Sequence, residues 1–135
     1  MGESDKRSGR RSEETLTAIR YQLEWVQENF SIELIVLADA AGLVLTHAGD
    51  ADHAEMLAAC AEQLNDDKEG PMFSVVEESI PGLTHERLFV GPLEIDGIPL
   101  YLCAVATPSD EAHAGMARAL GGIRRIYRTT SLTAG

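Results

Sequence analysis

Residues 34–45, LIVLADAAGLVL, hold two apolar runs separated by a tight turn, and this pattern is the strongest indication of the fold. Residues 34–38 are apolar at every position and β-branched in the middle, which is typical of a central strand that is covered on both faces. Asp39 favours the start of a turn, and Gly42 supplies a positive φ at its end. Residues 43–47 then predict the second strand of an antiparallel hairpin.

Amphipathic helices are predicted before the hairpin, after it and near the end of the chain. Residues 13–29 carry apolar side chains at alternating steps of three and four, and residues 52–65 carry an alanine-rich stripe, with Asp52 as the predicted N-cap. A third helix starts at Ser109. Its pair Gly121-Gly122 indicates either close packing on the sheet or a weakened, kinked helix.

Three further strands are predicted between the second and third helices. Residues 72–77 and 87–93 read as strands, and Pro92 places the latter at an edge or a bulge. Asp96-Gly97 favours a hairpin turn, and residues 100–106 are apolar enough for a central strand. The predicted fold class is therefore α+β: a five-stranded antiparallel sheet with helices on both faces, in the order helix-strand-strand-helix-strand-strand-strand-helix.

The 135 residues suffice for one domain and are too few for two ordinary ones. Residues 1–11 carry no hydrophobic side chain apart from Met1 and are expected to form a disordered basic tail. The domain is placed at residues 12–128, and residues 129–135 are expected to be a flexible C-terminal tail. No apolar stretch has the length of a signal-peptide core or a membrane span, which predicts a soluble, cytoplasmic protein without direct membrane insertion.

Charge is distributed unevenly along the chain. The formal net charge is −11, from 11 basic and 22 acidic residues. Residues 12–117 carry −17, whereas residues 1–11 carry +2 and residues 118–135 carry +4. Because such a body repels phosphate, nucleic acid is excluded as an expected partner, and a protein with a basic surface is favoured.

No catalytic residue, cofactor or metal is predicted. The motifs Gly-x-x-x-x-Gly-Lys and Gly-x-Ser-x-Gly are both absent from the sequence. His47 and His53, with aspartates nearby, leave a weak metal site open as an alternative to exposed polar loop residues. Cys60 and Cys103 lie in apolar runs and are expected to be reduced, buried and without a catalytic role.

The order of elements and the run at residues 34–45 resemble the roadblock (dynein light chain) superfamily. The recurring pattern of that family is an apolar strand, an aspartate, a two-residue turn, a glycine and a second apolar strand. The alanine-rich residues 56–61 are similar to its central helix, and residues 99–105 and 115–125 to its last strand and last helix. The resemblance covers about residues 14–128.

This resemblance implies a dimer with a GTPase-related function. In the family the central helices pair, and an edge strand of each chain joins into one continuous sheet; here these parts would be residues 52–65 and 72–77. Family members are platforms for Ras-like GTPases, dynein or membrane-tethered complexes, and bacterial members include a GTPase-activating protein that reshapes its GTPase. The resemblance thus implies a non-enzymatic homodimer or heterodimer that binds a Ras-like small GTPase or another signalling protein.

Contact residues are expected on the exposed side of the central helix and on the apolar third strand, which would be a sticky sheet edge unless covered. The candidates, for either a dimer or a partner contact, are Glu55, Met56, Ala59, Cys60, Gln63, Phe73 and Val75. For Met56 and Cys60, a place in the core of the dimer is the alternative to direct contact with the GTPase.

Two other classes of function stay open at this point. A small-molecule sensor or binding module of the PAS, GAF or profilin-like type would need a pocket with converging polar groups, for which His47, Tyr101 and His113 are the candidates. An enzyme would need a nucleophile and a base at a recognisable spacing, which the sequence does not show.

Overall fold

A computed structural model describes the backbone of residues 2–134 and the side chains of residues 13–129. Its elements are, in chain order, α1 (Gly2–Asn29), β1 (Ile32–Asp39), β2 (Val44–Ala48), α2 (Ala51–Asp66), α3 (Pro71–Ser79), β3 (Leu88–Ile95), β4 (Ile98–Ala106) and α4 (Asp110–Ala134). The three predicted helices and both predicted hairpins are therefore confirmed.

The limits of the domain stay predictions. The structure continues α1 back to Gly2 and α4 forward to Ala134, so the backbone of both expected tails lies in terminal turns of helices. Met1 and Gly135 lie outside the described residues. Within residues 2–134, no helix combines the length and the apolar character needed to cross a bilayer.

The sheet is antiparallel and has four strands in the order β2-β1-β4-β3. The apolar runs of β1 and β4 are central, as predicted, and Val36 pairs with Cys103 between them. Pro92 lies on the edge strand β3, where a residue without a backbone N–H is tolerated. The prediction of five strands is wrong because one of the predicted strands is a helix.

Residues 72–77 belong to α3 and not to a strand. Gly70 precedes Pro71, which occupies the start of the helix, where its fixed φ is favourable and its missing N–H is not needed. Phe73 and Val76 then lie three residues apart on the buried face. Valine has a high β-propensity, but here the burial of these two side chains in the core beneath α2 overrides that propensity.

Two hydrophobic cores lie on opposite faces of the sheet. Leu34 and Val36 of β1 point into the core under α2 and α3, whereas Ile35 and Leu37 point into the core under α1 and α4. This alternation follows from the two-residue period of a strand and confirms the predicted helices on both faces. We call α2 with α3 the front layer, and α1 with α4 the back layer.

Of the paired glycines in α4, Gly122 lies against α1 and not against the sheet. A Cβ on Gly122 would lie 2.6 Å from Nε2 of Gln22, so the two helices approach closely at this point. Gly121 is exposed and has nothing within 4 Å of the position of a Cβ. Of the two interpretations of the glycine pair, packing on the sheet is therefore wrong, and the helix continues through both residues.

Candidate interaction surface on helix α2

The β1–β2 turn packs directly onto α2. Oδ1 of Asp39 accepts hydrogen bonds from the backbone N–H groups of Ala41 (2.9 Å) and Leu43 (3.0 Å), which hold the predicted turn. Gly42 has a φ of +87°, and a Cβ there would lie 3.3 Å from Cα of Ala59. Because glycine adopts this φ without strain and has no side chain, the turn reaches the helix backbone. Leu43, which is 63% exposed, is thereby brought to the middle of α2.

The solvent-facing side of α2 is acidic around a small centre. Helical spacing places Glu55, Ala59 and Gln63 on one exposed stripe. The helix has no lysine or arginine, and its glutamates and aspartates on this side form no salt bridge within residues 13–129. We call this set the acidic α2 surface; its members are Leu43, Asp52, Glu55, Ala59, Glu62, Gln63 and Asp66.

The structure separates the predicted contact residues into accessible and buried ones. Accessible or partly accessible are Glu55, Met56, Ala59, Gln63 and Val75. Cys60 and Phe73 are only 5% and 4% exposed. Both were predicted as contact residues, but neither lies on a free surface of the chain. Phe73 fills the space between α3 and the loop before β3, where its ring stacks on that of His85 at a centroid distance of 3.8 Å.

Leu43, Asp52, Glu62 and Asp66 belong to the acidic α2 surface but are absent from the predicted contact residues. The place of the carboxylates on this surface could be predicted from the sequence, because residues 55, 59, 62 and 66 recur at steps of four, three and four opposite the buried alanine stripe. The position of Leu43 beside α2 could not be predicted, because its assignment to a strand carries no information about which element the turn approaches.

The N-terminus of α2 is capped by Asp50 and not by the predicted Asp52. Oδ1 of Asp50 accepts a hydrogen bond of 2.9 Å from the backbone N–H of His53, and this bond lowers the pKa of Asp50. Nδ1 of His53 lies 3.8 Å from the same oxygen, and Nδ1 of His47 is buried without a hydrogen-bond partner among the described residues. Among the described residues, no cluster of three histidine, cysteine or carboxylate side chains is suited to a metal ion.

The two cysteines are free and buried. Burial raises the pKa of both thiols, and it raises the pKa of Cys103 to about 12. Because the thiolate is the reactive form, neither thiol is an activated nucleophile at neutral pH.

The residues predicted to line a ligand pocket do not converge. Tyr101 lies in the front core beneath α2, where burial and the nearby carboxylates of Glu62 and Asp66 raise its pKa. His113 lies in the back layer, with its ring edge-on to that of Phe89 at a centroid distance of 5.0 Å. A cleft of about 300 Å³ opens at a different place, between the β3–β4 hairpin and α4; it is lined by Glu94, Ile95, Asp96, Arg124, Tyr127 and Arg128.

Comparison with known proteins bears on the fold. No protein-family model and no curated protein matches the chain. Among solved structures, Myxococcus xanthus MglB is similar with a TM-score of 0.60 and 15% identity over 85% of this chain and 91% of that chain. An MglB with a tetrameric arrangement is similar with a TM-score of 0.57 and 17% identity, over 86% of this chain and 92% of that chain.

The gliding protein MglB from Thermus thermophilus is a further similar structure, with a TM-score of 0.53 and 16% identity over 85% of this chain and 92% of that chain. At this level of identity the likeness is one of fold. The chain therefore shares the fold of these three MglB structures.

Proposed function

We propose that this protein is a non-enzymatic platform that regulates a Ras-like small GTPase, and that it binds the GTPase through the acidic α2 surface. The fold supports a protein of this class, because the roadblock resemblance implies GTPase partners and the similar structures are MglB proteins, one of them a gliding protein. The observation that carries the proposal is the acidic α2 surface itself, whose exposed carboxylates lie before and after Ala59 along the helix.

The composition of this surface suits a protein partner. Interfaces commonly have an apolar centre and a polar rim, and Leu43 with Ala59 supplies such a centre, while Glu55 and Glu62 belong to the rim. The small side chain of Ala59 allows a partner to approach the helix closely. The carboxylates steer a basic face of the partner towards the surface and disfavour acidic ones.

Regulation through this surface would act on the shape of the partner. The thiols of this chain are buried and protonated, and Arg87 is held by the carbonyl of Gly82 and the carboxylate of Glu33. As the resemblance to the bacterial GTPase-activating member implies, the protein would change GTP hydrolysis by favouring one arrangement of the GTPase's own mobile segments, which requires only a difference in affinity between two states of the partner.

A homodimer belongs to the same proposal, but the route implied by the resemblance is altered. The segment 72–77 is helical, so it offers no strand for a sheet that continues between copies; the edges of the sheet are β2 and β3. Pairing of α2 with α2 stays a prediction, and it would bring like-charged carboxylates face to face. If the helices do pair, Ala59→Arg splits the dimer, which sedimentation velocity detects.

The proposal is tested with a Ras-like GTPase from the same organism, in its GDP and GTP forms, by measuring affinity and GTP turnover; if a neighbouring reading frame encodes such a GTPase, that one is used first. We expect affinity for one nucleotide state to exceed that for the other, and the double variant Glu55→Lys/Glu62→Lys to weaken binding about tenfold or more. A change in turnover marks an activator, and binding without it marks a scaffold.

The matched control is Glu77→Lys/Glu78→Lys, which makes the same charge change on α3 outside the acidic α2 surface. We expect this variant to bind within about threefold of the wild type, because an isolated rim charge contributes little. Equal losses for the α2 variant and the α3 variant would exclude the α2 surface as the specific contact. No binding in either nucleotide state would exclude the proposed partner.

A further inference from the structure

Two aromatic side chains of α1 are exposed at its seam with α4. Tyr21 and Trp25 are 60% and 42% exposed and lie four residues apart, so they project from the same side of the helix. The ring of Trp25 lies 5.2 Å from the guanidinium carbon of Arg118 on α4, and its centroid lies 5.8 Å from that of Phe30. Tryptophan, tyrosine and arginine are the residues that most often dominate the energy of protein interfaces.

The charges around these rings are balanced and divided between the two helices. Three glutamates lie on α1, two arginines lie on α4, and Arg20 of α1 reaches to 5.5 Å from the ring of Tyr21. All six are exposed, and none forms a salt bridge within residues 13–129. We call this region the α1–α4 shoulder; it comprises Glu14, Arg20, Tyr21, Glu24, Trp25, Glu28, Arg118 and Arg125.

A net charge of zero on the shoulder matters in a chain whose total is −11. Two copies that meet through the acidic α2 surface bring four carboxylates against four, with no base among them. Two copies that meet through the shoulder bring glutamates of one α1 against arginines of the other α4. The shoulder is thus self-complementary in charge, whereas the acidic α2 surface is not.

We propose that the α1–α4 shoulder is a self-association surface, on which a second copy of this chain packs with its own shoulder. The contacts between Trp25 and Arg118 and between Gln22 and Gly122 show that α1 and α4 run antiparallel. A twofold axis parallel to these helices lays each α1 antiparallel on the α4 of the other copy and keeps the same register. Arg118 then lies level with Glu24 and Glu28 of the second copy.

This arrangement buries two tyrosines and two tryptophans at the centre and leaves the acidic α2 surface free for another protein. Aromatic side chains bury large areas at small entropic cost, so they supply the main driving force. The inference goes beyond the proposed function and does not depend on it, because the two surfaces lie on opposite faces of the sheet.

The one tryptophan of the chain makes the contact directly observable. Sedimentation velocity and tryptophan fluorescence are measured on the same samples of the full chain over a range of concentrations up to about 100 µM, where contacts of micromolar affinity form. We expect the dimer to appear together with a blue shift of the Trp25 emission and reduced quenching by acrylamide. Added salt weakens the association, because the contacts across the interface join opposite charges.

Charge reversal identifies the residues involved. Arg118→Glu raises the dissociation constant about tenfold or more, and Tyr21→Ser does the same by removing a central ring. The triple variant Arg118→Glu/Glu24→Arg/Glu28→Arg reverses both sides of the same contact and restores most of the association. Arg124→Glu is the control, since it makes the same charge change on α4 in the cleft beside the β3–β4 hairpin; circular dichroism confirms that each variant folds.

Two results would overturn the inference. One is a protein that remains monomeric over the whole range with an unchanged Trp25 spectrum. The other is association that leaves the Trp25 emission unchanged and is not weakened by Arg118→Glu, because such association uses a surface other than the shoulder. Since neither result involves the GTPase, failure here and failure of the proposed function remain distinguishable.

Discussion

The front and back layers cover the same sheet with different interiors and different surfaces. The front layer approaches the sheet through small side chains, with Ala54, Ala58 and Ala61 fully buried in α2. The back layer fills its core with larger side chains, such as Ile19 and Leu23 of α1. Small side chains bring α2 close to the strands, so the front layer combines this close approach with large buried groups such as Leu57 and Phe73.

Outside, the contrast is one of charge. Residues 50–79 carry nine acidic residues and one lysine, and that lysine, Lys68, donates a hydrogen bond to the carbonyl oxygen of Leu88. The back layer instead combines acids on α1 with exposed arginines on α4 and leaves Tyr21 and Trp25 accessible. A single net charge therefore describes neither face, and each layer fits a different kind of partner.

The largest effect is expected where the front layer depends on a large side chain. Phe73→Ala removes a ring that is 4% exposed and stacked on His85, so the free energy of unfolding should fall by about 3–5 kcal/mol. Val75→Ala, on the exposed side of the same helix, should change it by about 0.5 kcal/mol or less. Urea unfolding followed by circular dichroism measures both.

Equal and small effects for the two substitutions would contradict α3 as a packed helix. An edge strand would place residues 73 and 75 on one face, whereas the helix places Phe73 inside and Val75 outside. The comparison of the two variants therefore tests the secondary structure of this segment as well as its contribution to stability.

This segment also shows why one part of the fold was not predictable from local pattern. The runs that became β1 and β4 are long, apolar on both faces and bounded by turn residues, so only a central strand accommodates them. Residues 72–77 form a short run with apolar side chains on both faces, so the pattern fits a strand and a helix equally well. The signals that favoured a helix were Pro71 after Gly70 and the spacing of residues 73, 76 and 80.

The candidate site was predictable to a similar degree. The polar stripe of α2 follows from helical periodicity, which places Glu55, Ala59 and Gln63 outside. Cys60 lies next to Ala59 in sequence but points inward, and the stripe of buried residues on either side of it indicated this orientation. The seam between α1 and α4 was not predictable, because it depends on which faces of two helices about 90 residues apart meet in space, as at Trp25 and Arg118.

A matched pair of glycines sharpens the comparison between the layers. Gly42→Ala places a side chain at a φ of +87° and 3.3 Å from Cα of Ala59, so the free energy of unfolding should fall by about 1–3 kcal/mol. Gly121→Ala adds a Cβ that meets nothing within 4 Å, at a helical position. The free energy of unfolding should therefore rise by about 0.5–1 kcal/mol. Thermal unfolding measures both changes in the free energy of unfolding, and dilute samples are used so that self-association does not contribute.

Opposite signs for these two substitutions would confirm that the front turn depends on close approach and that the back helix does not. A Gly42→Ala variant as stable as the wild type would mean that the turn does not rest on α2, and Leu43 would then lose its place on the acidic α2 surface.

The smallest effects concern the caps of the two helices that follow the hairpins, which differ in chemistry. Asp50 caps α2 with a carboxylate, whereas Ser109 caps α4 with a hydroxyl that accepts a hydrogen bond of 3.0 Å from the N–H of Ala112. Ser109→Ala should lower the free energy of unfolding by about 1 kcal/mol at every pH. Asp50→Asn keeps an oxygen that can accept the bond but removes the charge.

The pH dependence of Asp50 has a defined sign. Its pKa in the folded chain is lowered from 3.8, chiefly by the hydrogen bond from the N–H of His53, so the charged form favours folding. The stability it adds is present in full above pH 3.8 and is lost as the pH falls through the lower pKa of the folded chain. The difference in unfolding free energy between the wild type and Asp50→Asn should therefore shrink in acid, while that between the wild type and Ser109→Ala stays constant; parallel curves for all three would show that the front cap owes nothing to its charge.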